Sequence, residues 1–90
     1  INSLNLDDAE QAIKLNPSAR NYFVLANILE DLDKSKAISI YDKVIALNNR
    51  AACAYSNKAR CFRESFAYKN STELYIKSLE IDPYGQHYYA

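Results

Sequence analysis

Asn57, Arg60 and Arg63 recur every three residues, and Glu64 follows at once. Residues three apart share a face of a helix. An amide both donates and accepts, and a guanidinium can grip a carboxylate with two parallel hydrogen bonds. This spacing suits capture of a carboxylate or of an extended acidic peptide backbone. The plainer reading of the same residues is a solvated face on which Glu64 pairs with the arginines.

Other chemistry finds little footing. His87 is the single histidine and Gly85 the single glycine, so no phosphate-cradling glycine loop or paired-histidine metal site can be assembled. Cys53 and Cys61 are eight apart. On one helix that is about 12 Å of rise, too far for a disulfide. Asp7, Asp8 and Glu10 read as a solvated acidic edge, favourable near a helix N-terminus. We therefore expect no enzyme activity, no metal and no cofactor. Asn70-Ser71-Thr72 fits a glycosylation sequon, but it follows no secretory signal.

The 11 basic and 11 acidic residues cancel, so no global field draws the chain to nucleic acid or an anionic membrane. The charge is uneven: residues 1–42 carry a net −3 and residues 43–77 a net +5. No apolar run approaches the ~20 residues that span a bilayer. Free thiols suit the cytoplasm or nucleus. The chain begins without Met and in the middle of a repeat, which reads as a piece of a longer protein.

The elements that must position these residues are helices. Leu6, Ala9, Ala12 and Ile13 form one apolar stripe, joined at its end by Leu15, and Asn16-Pro17 closes it. Ser18 can cap the next helix, which carries Tyr22, Leu25, Ala26, Leu29 and Leu32. A turn at Asp33-Lys34-Ser35 leads into Ala37, Ile38, Ile40, Tyr41, Val44, Ile45 and Leu47, and Asn48-Asn49 breaks that helix. Ala52, Tyr55, Ala59 and Phe62 form the next stripe. Beyond a turn near Phe66-Ala67-Tyr68, Ser71, Leu74, Tyr75, Ser78, Leu79 and Ile81 form the last. The spacing predicts helices over about 4–15, 19–31, 35–47, 51–65 and 69–81, a further start at Gln86–Ala90, and no strands. Turns of about three residues make neighbours antiparallel.

One pattern occurs three times, at residues 12–17 (AIKLNP), 44–49 (VIALNN) and 78–83 (SLEIDP), with ends 32 and 34 apart. Tyr22, Tyr55 and Tyr89 form a second series, spaced 33 and 34. A period near 34 marks stacked helical hairpins. The chain resembles the tetratricopeptide repeat family through Tyr22, Leu25, Ala26 and Leu29, then Tyr55, Lys58, Ala59 and Phe62, on the first helices of two units. It does so on the second helices through Ala37, Tyr41, Val44 and Asn49, then Ser71, Tyr75, Ser78 and Pro83. Lys58 departs from that pattern, where a large apolar residue is usual; its stem can pack while its ammonium reaches water.

The resemblance implies an all-α, right-handed superhelical solenoid of antiparallel helix pairs. Residues 1–17 would be the second helix of a preceding repeat, 18–51 and 52–85 two full repeats, and 86–90 the start of another. It also implies a concave groove presenting Phe23, Asn27, Asn57, Arg60, Arg63 and Glu64 to a protein or peptide partner, with acidic peptides favoured. Tyr55-Ser56-Asn57-Lys58-Ala59 is similar to a stretch of co-chaperones that grip acidic chaperone tails. Asn27 and Asn57 match that clamp's two asparagines, but Phe23 and His87 stand where its lysines belong. The alternative to a peptide groove is an architectural or oligomerisation segment, with self-association through exposed repeat ends.

Overall fold

The computed structural model describes residues 2–84, with side chains from residue 6 onward. Five helices follow one another: α1 Asn2–Leu15, α2 Ala19–Leu29, α3 Lys34–Leu47, α4 Ala52–Glu64 and α5 Tyr68–Ile81. The described residues contain no strand. The expected helix from Gln86, with His87 and the tyrosines around it, lies outside the described residues.

The sequence signals that place the ends operate as anticipated. Ser18 Oγ accepts the Asn21 amide at 3.2 Å and Asp33 Oδ1 the Lys36 amide at 3.2 Å, each satisfying a donor that the helix start leaves over. Asn48 Oδ1 accepts the Arg50 amide at 3.1 Å and turns the chain out of α3. The exit from α4 is less expected. Phe66 adopts φ 67°. The Ala67 amide bonds back to the Phe62 carbonyl (2.8 Å) and the Phe66 amide to that of Arg63 (3.0 Å). This is a Schellman motif with phenylalanine at the left-handed position that glycine usually occupies.

Packing among the described residues runs chiefly between consecutive helices, most extensively in the α2–α3 and α4–α5 hairpins. Ser78 Oγ near the end of α5 donates to the Ala52 carbonyl at the start of α4 (2.9 Å), and Tyr41 meets Phe23 edge-on at 5.8 Å. Both contacts fit antiparallel neighbours. Small residues lie where helices approach closest: Ala26, Ala37, Ala54, Ala59, Ser71 and Ser78 are all buried. Leu25, Leu29, Ile40, Tyr41, Val44 and Cys61 complete the centre of the core.

Several apolar assignments shift. Leu32 falls in the turn after α2 and is exposed, because Asp33 starts a new helix one residue later. Leu15, Leu47 and Leu79 are exposed as well, each near a helix end. Of the four tyrosines at core positions, Tyr41 is fully buried, whereas Tyr22, Tyr55 and Tyr75 are half-buried. The Lys58 ammonium does not end in open water: it pairs with Asp42 at 2.5 Å and lies 6.0 Å from the Phe62 ring centre.

The hairpins repeat along the chain. α3 and α5 are both 14 residues long and start 34 apart, while α2 and α4 start 33 apart. Residues at these offsets therefore hold corresponding places in the two hairpins.

Candidate functional site

α4 meets the α2–α3 hairpin through polar side chains, and these include most of the residues singled out by spacing. Arg60 reaches Glu30, the residue that caps the C-terminus of α2, with Nε and Nη2, at 2.8–3.1 Å over three hydrogen bonds. One turn earlier, Asn57 Nδ2 donates to Asn27 Oδ1 at 3.0 Å and contacts the Tyr41 hydroxyl at 3.3 Å. That hydroxyl lies 2.6 Å from Asn27 Oδ1 and also donates to the Glu30 carboxylate. A phenol has one proton to give, so the two acceptors share it.

Burial decides what these groups can do. Glu30 is 8% exposed and Tyr41 0%, while the Arg60 side chain keeps 34% of its surface. A carboxylate this enclosed is tolerated because a guanidinium and a phenol satisfy it. Burial disfavours the Arg60 charge, but the hydrogen bonds and attraction of Glu30 outweigh it and raise the guanidinium's pKa. Burial first, then the bond to Glu30, pushes the Tyr41 phenol well above its usual range. Burial also moves the neighbouring Cys61 thiol from its ordinary value near 9 up to about 11. No buried side-chain nitrogen or oxygen among the described residues is left without a partner.

The arginines thus have different employment. Arg60 is held by Glu30, and its Nη1 takes no part in those bonds. Arg63 is exposed and has no ion-pair partner among the described residues. Glu64 does not pair with either, as the plainer reading of the spacing required; it lies 3.5 Å from Lys34 at the start of α3. Arg60 and Arg63 line an open pocket of about 440 Å³ together with Ser56, Asn57 and Tyr75. Arg60 also borders a second polar recess of about 300 Å³ with Asn27, Glu30, Asp31 and Glu64.

Five of the six residues assigned to the groove therefore gather along α2 and α4: Asn27, Asn57, Arg60, Arg63 and Glu64. Phe23 is set apart from them. It leans on Tyr41 and faces an apolar pocket of about 430 Å³ that also includes Arg20, Val44, Arg50 and Cys53. Asn27 and Asn57 hydrogen-bond to each other, so they do not stand as two independent clamp residues. Spacing alone missed Tyr41 as the centre of the network and Glu30 as the counter-ion of Arg60. The available signal was an amide pair and an acid–base pair both 30 apart, one helical turn short of the repeat.

The chain matches no protein-family model and no curated protein. Among the described residues, no group of three His, Cys, Asp or Glu side chains is placed to hold a metal ion, and no helix is long and apolar enough to cross a membrane.

Proposed function

We propose that the chain is a tetratricopeptide-type helical solenoid segment whose work is to hold a partner protein, through a peptide laid along the face of α2 and α4. The observation that carries this reading is the pairing of Arg60 with Glu30 beside an exposed Arg63 that has no ion-pair partner among the described residues. One arginine fixes the spacing of the two helices, and the next, three residues on, offers a charge on the same edge. The 33- and 34-residue offsets between hairpins support the repeat architecture, since regular stacking of such units builds an extended binding surface. An acidic peptide suits the site: Arg63 can take a carboxylate in a fork of two hydrogen bonds, and the unused Nη1 of Arg60 can add a third. We assign the protein to the cytoplasm or nucleus, where Cys53 and Cys61 remain thiols.

Titration of the ¹⁵N-labelled chain with short peptides ending in acidic tails tests this. Amide shifts gathered at Asn27, Asn57, Arg60 and Arg63 are expected, and Arg63→Glu should weaken binding about tenfold. Indifference of that face to every peptide would count against the groove.

A second reading, an architectural or oligomerisation segment, draws on a different observation. Tyr68, Ile76 and Leu79 are all exposed on α5. Exposed apolar residues gathered on one element are a feature of association surfaces. A mass that rises with concentration and falls when Ile76 and Leu79 are changed to Lys would favour this reading.

A further inference from the structure

The turns inside the two hairpins carry an exposed apolar residue at the same place. Leu32 stands two residues before α3 and Phe66 two before α5, 34 apart, which is the offset between those helices. Leu32 is 51% exposed although α4–α5 pack after its hairpin, and Phe66 is 78% exposed although α2–α3 pack before its own. A following hairpin thus leaves this edge of the repeat open, as Leu32 shows, and so does a preceding one, as Phe66 shows. The Phe66 ring lies outside the core, at φ 67°, where glycine or asparagine would sit without strain. Tyr68, also exposed, meets it edge-on at 6.3 Å and extends the apolar surface. A strained, exposed ring that folding does not reward is the mark of a contact surface.

Charge identifies the occupant. Within three residues of Leu32, Asp31 and Asp33 are exposed acids in no ion pair among the described residues. Within three residues of Phe66, Arg63 and Lys69 are exposed bases in the same condition. The other charges in those stretches are already paired, Glu30 with Arg60, and Lys34 with Glu64 across the two turns at 3.5 Å. We propose that this edge is a docking surface for a second copy of the chain, related by a two-fold axis that sets Leu32 of one copy against Phe66 of the other. Such an interface is self-complementary, because each contact occurs twice. The same axis brings Asp31 and Asp33 to Arg63 and Lys69 of the second copy, and Lys34 to its Glu64. A parallel arrangement would stack acid on acid and base on base, and is rejected. Two turns make a small interface, so the dimer is weak, with a dissociation constant of about 0.1 mM. This dimer belongs to the self-association reading above and gives it a surface other than the face of α5 that carries Ile76 and Leu79.

Sedimentation equilibrium of the chain from about 10 μM to about 1 mM reads the dimer. The mass is expected to rise toward twice the monomer value over that range. Phe66→Gly should abolish the rise, and because it relieves the left-handed turn, its effect cannot arise from unfolding. Asp31→Lys or Lys69→Glu alone should weaken the dimer about tenfold, and the two together should restore it to within about threefold, since opposite charges again face each other. In a mixture of ¹³C-labelled and unlabelled chains, isotope-filtered NOEs should join the Leu32 methyls of one copy to the Phe66 ring of another. A mass that stays at the monomer value up to about 1 mM overturns both this dimer and the self-association reading. A dimer that survives Phe66→Gly but is lost with Ile76→Lys and Leu79→Lys overturns this surface and leaves that reading standing. A double charge reversal that binds no better than the single ones overturns the two-fold pairing.

Discussion

The two hairpins are near copies in length and register, but they treat their polar faces differently. On α2–α3, Glu30 and Tyr41 are buried and wholly engaged, because α4 covers them. On α4–α5, the corresponding Arg63 is exposed and Tyr75 half-buried around an open pocket. The same places in a repeated unit are thus buried where a described helix sits on them and more exposed where none of the described helices does. What separates them is coverage by a described helix, along with a change of charge, Glu30 on the first hairpin standing where Arg63 stands on the second.

The largest way to break this comparison is to remove the tyrosines. Tyr41→Ala should cost about 4 kcal/mol, since it empties a fully buried site. Tyr75→Ala should cost about half of that, because less of its ring is withdrawn from water. Urea denaturation measures both, and equal losses would mean that the two sites are not differently covered. The charged positions come next. Glu30→Ala strands Arg60 and removes the carboxylate that takes the Tyr41 proton. We expect a loss of about 2 kcal/mol, below the cost of breaking a fully buried pair because the Arg60 side chain keeps a third of its exposure. Arg63→Ala should stay within about 0.5 kcal/mol of the parent.

Alkaline pH probes the covered junction. Cys61 is held protonated up to about 11, and Tyr41 is shifted in the same direction, both mainly by burial. Both pKa values are higher folded than unfolded, so the folded state binds more protons in this range. The Cys61 contribution is complete below pH ~9 and is lost as pH rises through about 11, and that of Tyr41 is lost at higher pH still. Denaturation midpoints should therefore fall steadily above pH 9, and Cys61→Ala should flatten part of that decline. A midpoint that holds constant from pH 8 to 11 would contradict the burial of this junction. A gain rather than a loss is expected at the turn between the helices of the second hairpin. Phe66→Gly should raise stability by about 1 kcal/mol, by relieving a left-handed conformation that costs a side chain about that much.

Much of the helical fold could be read from the chain because its signals are local. Pro17, Ser18, Asp33 and Asn48 act on backbone groups a few residues away, and the small residues at 26, 37, 59 and 71 mark close approaches at helical spacing. The cluster Asn57-Arg60-Arg63 was legible as a shared face for the same reason. What spacing could not give was the division of labour within it. The Arg60 partner lies 30 residues back, and Glu64, the obvious local acid, is drawn to Lys34 instead. Tyr41 fitted a core position by periodicity, and its hydroxyl became the hub of the network only once α4 had closed over it. Leu32 was misplaced because the Asp33 cap overrode an apolar residue that still kept the helical period.

The difference between the two arginines is tested most directly by following their side-chain Nε–Hε resonances, those of Arg60 and Arg63, while an acidic peptide is added. The Arg63 resonance should move progressively and saturate, while that of Arg60, already held by Glu30, barely shifts. Movement of the Arg60 signal with a stationary Arg63 would contradict it, because the junction between hairpins would then be the part that opens to a partner.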